Sequence, residues 1–267
     1  MSRPTHTLKS PCDACPAAAP KSRSFAKPNG DYVVALAGNP NTGKSTVFNA
    51  LTGLHQHTGN WPGKTVTRAE GYFTHAEKTF RIIDLPGTYS LLSTSTDEEV
   101  ARDFILFGRP DVTVIVADAS RLERNLNLVL QILEITDRAV ICLNLVDEAE
   151  HRGIHIDANL LEKELGAPVV ATIARRREGL DRLVEVAHEV AAGKRICTPR
   201  LMFPHTPRLA SSMALLSEKL EALYPGLPNA HWVALRLLEG DPRMIAAARN
   251  GELESLARRA GPDSIYE

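Results

Sequence analysis

YVVALAGNPNTGKSTVFNALTG, residues 32–53, decides the fold. Residues 32–37 form a short apolar run of β-branched character that ends in a Gly, Asn and Pro cluster, so a buried strand feeds a loop. That loop, Gly38, Asn39, Pro40, Asn41, Thr42, Gly43, Lys44 and Ser45, matches G-x-x-x-x-G-K-[ST], and a helix-compatible segment follows at 45–53. Strand, loop and helix in that order are the context the motif requires. Its glycines let backbone N–H groups wrap a β-phosphate while the helix N-terminus faces it. Lys44 is expected to neutralise β and γ oxygens, and Ser45 to ligate Mg2+, with Thr46 the last contact of the segment.

Outward from this stretch, strand-like runs at 69–75, 79–85, 111–118, 138–145 and 168–172 alternate with helix-period segments at 97–107, 122–135, 157–165 and 180–192. Such alternation predicts an α/β fold, a mostly parallel sheet with helices on both faces, and a ligand at the carboxyl ends of its strands. After Gly193 the strand signals stop and helical periodicity takes over, broken at YPGLP and at Gly240-Asp241-Pro242. Three parts are expected: a disordered tail at 1–30, a nucleotide-binding domain at 31–196 and a small all-helical domain at 197–267. The tail is rich in Pro, Ala, Ser and Lys, too poor in large apolar residues to offset its ordering entropy.

The bulk numbers exclude several classes. In 267 residues, 31 Lys and Arg balance 32 Asp and Glu, so no global field recruits nucleic acid or an anionic membrane. The cysteines, Cys12, Cys15, Cys142 and Cys197, lack the spacing of a disulfide framework and fit a reducing cytosol. Nowhere do about 18 apolar residues run together, so neither export nor a bilayer span is expected of the chain as given.

Further motifs build the rest of a triphosphate site. Asp84-Leu85-Pro86-Gly87 closes a strand, with Asp84 expected to hold Mg2+ through water and the Gly87 N–H to reach the γ-phosphate. Asn144-Leu145-Val146-Asp147 ends another strand, where the Asp147 carboxylate accepts from both N1–H and the N2 amine of guanine. Adenine offers no such donor pair. Thr172-Ile173-Ala174 follows as the last loop, its Ala174 N–H expected to meet guanine O6. Residues 54–71 read as a mobile loop over the γ-phosphate, with Thr65 chosen for the Mg2+ shell and Thr58 and Thr67 as rivals. Together with Thr88 to Asp97, that loop is the expected switch.

GNPNTGKST, GNWPGKTVT, DLPGTYSL and NLVDEAE together resemble the GTPase domain of the ferrous-iron transport protein B (FeoB) family, over residues 32 to about 192. The resemblance implies a P-loop GTPase of Ras-like fold that binds GTP and GDP on the cytoplasmic face of the bacterial inner membrane. It also implies a helical, GDI-like regulatory domain after it, a transmembrane Fe2+ channel beyond, and room for a small cytosolic accessory protein or a homo-oligomer. The stretch Gly63, Lys64, Thr65, Val66 and Thr67 takes the γ-phosphate role, Thr65 foremost. Asn41 gains a task, holding a K+ ion with carbonyls of Gly59 and Trp61, and joins Lys44, Thr65 and Gly87 as a catalytic group.

Thr88 stands where many regulatory GTPases place a water-orienting Gln, as in this family generally, so slow hydrolysis is expected. Ile173 replaces the family's usual Ser, and fast GDP release is expected. The remaining signals divide between a functional and a bland reading. Cys12-x-x-Cys15 with His6 has the spacing of half a metal site. His55 and His57 read as solvated loop residues, Cys142 as core, and Arg175, Arg176 and Arg177 as a solvated helix entrance. Trp232, Leu235, Leu237 and Leu238 are expected to bury against neighbouring helices. The rival reading is an RNA- or ribosome-associated assembly GTPase, since Asn41-type P-loops resemble those families too.

Overall fold

A computed structural model describes residues 30–53, 56–61, 64–92, 95–199 and 206–258. Its centre is a seven-stranded sheet of order β2-β3-β4-β1-β5-β6-β7. The strands are β1 (Tyr32–Gly38), β2 (Gln56–Asn60), β3 (Thr67–His75), β4 (Lys78–Asp84), β5 (Val112–Asp118), β6 (Ala139–Asn144) and β7 (Val169–Ala171). β1 pairs in parallel with β4 and β5, and β5, β6 and β7 continue in parallel. β3 runs antiparallel to β4, and β2 to β3, at one edge. Every residue of β5 and β6 is buried, as expected of strands covered on both faces.

Helices α1 (Lys44–Thr52), α2 (Thr96–Phe107), α3 (Leu122–Ile135), α4 (Val146–His151), α5 (Ala158–Leu165) and α6 (Leu180–Ala191) accompany the sheet. Four more follow: α7 (Pro207–Leu223), α8 (Ala230–Leu238), α9 (Pro242–Arg249) and α10 (Glu252–Arg258). Their starts are written locally. Ser95 accepts from the Glu98 N–H at 3.2 Å ahead of an acidic first turn of α2. Thr206 and Asp241 cap α7 and α9, each followed by a proline in the first helical turn.

Two expectations change. Residues 56–60, read as part of a loop, are the edge strand β2, with Gly59 opposite Arg68 and Asn60 opposite Thr67. QHTGN carries no apolar alternation, so no side-chain period announces it; the strand arises from main-chain pairing to the open edge of β3. The short helix α4 grows out of the base motif itself, started by Leu145 in the left-handed region at φ 61°.

Helix α2 is buried from Val100 to Phe107, including Arg102 at 0% exposure, and so is enclosed rather than laid on a surface. Arg102 Nη1 donates to Asp241 Oδ2 at 2.8 Å, and Arg243 Nε donates to Asp103 Oδ2 at 2.8 Å, tying α2 to α9. Trp232 and Leu235 are buried as expected, Leu237 is half-buried and Leu238 is exposed. Cys142 and Cys197 are buried thiols; burial pushes Cys142 up to about 12 despite its bond with Thr172 Oγ1.

On the opposite side, Tyr32, Phe73, Phe80, His75 and His188 form an aromatic cluster, with His188 ringed by three of them at 5.6–5.7 Å. Desolvation first, then the charges of His75, Lys194 and Lys78, holds the His188 imidazole below its ordinary value. A depressed imidazole makes the unfolded chain take up more protons, so stability falls as pH drops through the ordinary histidine range. Urea midpoints measured on both sides of that range are expected to show this loss, and His188→Leu to reduce it; an unchanged pH slope would assign the loss elsewhere.

Candidate functional site

The P-loop, the Asp84 loop, the base loop and the last loop all lie at the carboxyl ends of β1, β4, β6 and β7. β1 sits between β4 and β5, so the loops after β1 and β4 are neighbours. Two glycines are obligatory there. A Cβ on Gly38 would fall 2.6 Å from the Val116 carbonyl oxygen, and one on Gly43, at φ 83°, would fall 2.3 Å from Asn144 Nδ2. Between them Asn41, exposed, holds φ 66°, a left-handed backbone in a non-glycine residue.

At the phosphate end, Lys44 Nζ donates to the Leu85 carbonyl at 2.7 Å and to Asp84 Oδ1. Burial pushes the Asp84 carboxyl up, against the opposing pull of Lys44. Gly87 lies against the P-loop, since a Cβ there would meet Pro40 at 3.4 Å. Ser45 and Thr46 stand exposed in the first turn of α1, Thr42 donates to the Asn39 carbonyl at 3.0 Å, and Thr88 is buried. Ser45, Thr65 and Asp84 offer only oxygen donors, the set that suits Mg2+.

Thr65 is exposed in a tight loop closed by Trp61 N–H to Val66 O at 2.9 Å and Lys64 N–H to Trp61 O at 3.0 Å. The loop is pinned to α2. The Trp61 ring, 4% exposed, meets Phe104 edge-on at 5.3 Å, and Lys64 pairs with Glu99 at 2.9 Å. Thr58 and Thr67, the rivals of Thr65, are committed to paired strands, as is Gly59. Gly63, His55 and the Cys12-x-x-Cys15 segment with His6 lie outside the described residues. Among the described residues no cluster of three or more His, Cys, Asp and Glu is arranged to hold a metal, and no helix is long and apolar enough to cross a membrane.

At the base end, Asn144 is a three-way bridge. Its Nδ2 donates to the Thr42 carbonyl at 3.0 Å, while its Oδ1 accepts from Thr172 Oγ1 at 3.2 Å and from the Ala174 N–H at 3.0 Å. One buried amide thus fixes the P-loop, the base loop and the last loop against each other. The Ala174 N–H, expected to face guanine O6, is here taken by Asn144, because the 3-10 turn Ala174–Arg176 folds back over the strand end. Ile173 is buried and pairs with Glu178 across that turn, with its N–H on the Glu178 carbonyl at 3.0 Å.

Arg175, Arg176 and Arg177 are exposed, as expected of a solvated helix entrance. Arg175 Nη2 in addition donates to Asp147 Oδ2, and Arg176 approaches the same oxygen at 4.0 Å. Sequence reading missed this because the partner lies 28 residues away in the chain. Burial pushes the Asp147 carboxyl up, but Arg175, the Glu148 amide and Arg176 together hold it below its ordinary value.

Against known proteins, the sequence pattern of the family described as "Ferrous iron transport protein B" matches residues 32–187. The Fe(2+) transporter FeoB of Escherichia coli (strain K12) is 39% identical over 212 residues, which cover 78% of this chain and 27% of that protein. This chain therefore spans about a quarter of the length of such relatives, 27%. The cytosolic domain of T. maritima FeoB in GDP form II is 36% identical and superposes with a TM-score of 0.73, covering 86% of this chain and 98% of its own. The cytosolic domain of L. pneumophila FeoB is 35% identical, with a TM-score of 0.74 over 87% of this chain and 91% of its own.

Proposed function

Because the chain belongs to the ferrous iron transport protein B family, we propose that it is that family's GTP-binding and GTP-hydrolysing module, which switches conformation on the cytoplasmic face of a bacterial inner membrane to regulate Fe2+ passage through a channel domain. The observation that supports the nucleotide reading is the Asn144 bridge, which joins the G-x-x-x-x-G-K-S loop, through the Thr42 carbonyl, to the strand end that carries Asp147. The GDP-bound form of the T. maritima relative supports the same ligand class.

In this reading Lys44 leaves Asp84 for the β and γ oxygens, and the main-chain amides of 38–45 wrap the β-phosphate. Ser45, Thr65 and Asp84 would hold Mg2+, which when bound would supply neutralisation of phosphate charge. Thr88 is buried and too short to orient water as a Gln does, so backbone groups near Gly87 position it and turnover is slow. Asn41, exposed on its left-handed turn, offers an amide oxygen toward a monovalent cation. Gly59 and Trp61 remain the partners proposed for that cation.

Two measurements test the reading. Titration calorimetry is expected to show GTP and GDP binding without ATP binding; equal uptake of ATP, or no uptake, overturns the nucleotide assignment. Hydrolysis of GTP is expected to run at least about tenfold faster in KCl than in NaCl, with Lys44→Ala inactive in both. Equal rates in the two salts would remove K+ while leaving the GTPase in place.

A further inference from the structure

Both groups expected to read the guanine edge are engaged by one turn of the protein. The Ala174 N–H donates to Asn144, and the next residue, Arg175, donates to Asp147. The Asp147 side chain is almost closed to solvent, 6% exposed, with Arg175 and the Glu148 amide against its carboxylate. A buried anion in that state is costly unless a donor group meets it. A guanidinium edge is chemically close to guanine's own recognition edge, since each presents planar N–H donors to a carboxylate.

We propose that Arg175 is an intramolecular stand-in for guanine: its side chain occupies the base-selecting carboxylate in the free protein and must leave before the nucleotide base can seat. The inference rests on the guanine-nucleotide reading above. Two features of the turn suit a removable plug. The Arg175 side chain is half exposed, 52%, so it swings into water at little cost. Its backbone sits in a short 3-10 turn ended by Arg177 in the left-handed region at φ 62°, which closes on itself through the Arg177 N–H to Ala174 carbonyl bond at 3.1 Å.

The binding-competent fraction of the protein is then less than one, and apparent affinity is reduced by that fraction. The penalty falls on association, because the Arg175 to Asp147 pair is broken before the base enters and is absent from the bound state. Loss of a cation would ordinarily slow capture of an anionic nucleotide. The stand-in role reverses that sign.

Stopped-flow association and dissociation of fluorescently labelled GDP on the whole chain tests it. Arg175→Ala is expected to raise the association rate about threefold to tenfold, the scale of a partly exposed ion pair, with the dissociation rate unchanged. Arg175→Lys is expected to fall between, as a point charge matches the carboxylate less well than a planar fork. In an Asp147→Asn background the Arg175→Ala gain is expected to vanish. An unchanged or slower association, or faster dissociation from Arg175→Ala, overturns the stand-in while leaving the GTPase reading standing. Absence of labelled-GDP binding by the unaltered chain removes both.

Discussion

Asp147→Asn is expected to weaken GTP and GDP binding by about 10³-fold, with the fold retained and xanthine nucleotides newly accepted. On the proposed reading the carboxylate takes two charge-assisted hydrogen bonds from guanine, each worth about 1.5–3 kcal/mol, so their joint loss approaches about 4 kcal/mol. An asparagine amide keeps one acceptor and turns a donor toward the guanine N2 amine, setting two donors against each other in a site only 5% exposed. Xanthine carries a carbonyl where guanine carries that amine, and the same amide then fits. Titrating the variant with GDP and XDP decides the matter: retention of GDP within about tenfold would mean that the base is chosen elsewhere. The fold is expected to hold because the bridge joining the loops is Asn144, while Asp147 contributes pairs with the exposed Arg175 and Arg176 side chains.

Arg102→Ala is the second large effect, expected to destabilise the chain by about 3–5 kcal/mol and to loosen α9 first. Arg102 is wholly buried on α2, with Nη1 on Asp241 at 2.8 Å and Nε at 3.8 Å from Asp103. Asp241 also caps α9 through the Met244 N–H at 2.9 Å, so removing its cation leaves a half-buried carboxylate at a helix start with one partner fewer. Truncation adds a cavity cost to the lost ion pair. Arg243, stacked over Phe107 at 4.6 Å and paired with Asp103 and Glu252, remains as a second tie. Urea unfolding with hydrogen exchange on α9 and α10 reads both quantities. A loss under about 1 kcal/mol with unchanged protection would show that Arg243 and apolar contact hold the C-terminal helices to α2 without Arg102.

The same helix meets the loop around Thr65 through Trp61 on Phe104 and Lys64 on Glu99. α2 therefore touches both the loop around Thr65, through Glu99 and Phe104, and α9 with its cap, through Arg102 and Asp103.

Much of the fold was legible because its signals are local. Strand runs of buried β-branched residues and capped amphipathic helices announce themselves within a few residues, and nearly every such segment lands within two residues of its expected bounds. β2 was not legible, since an edge strand made of Gln, His, Thr, Gly and Asn has no periodic side-chain signature and depends on a partner elsewhere in the chain. Arg175 is solvated as expected, but its pairing with Asp147 was not legible for a related reason: three arginines beside acidic residues look alike until a buried carboxylate 28 positions earlier is brought over them.

By itself the sequence determined the alternation of elements, the P-loop with its obligatory glycines, and the residue types gathered at the strand ends. Each of these depends on backbone sterics and side-chain chemistry within a short window of chain. Only the tertiary structure decided that Asn144 ties three loops together, that Arg102 is sealed between α2 and α9, and that Arg175 rests on Asp147. Those are contacts between residues 28 to 139 positions apart, and what selects them is the cost of leaving a buried polar group unpaired once packing has closed around it, a quantity that exists only in the folded chain.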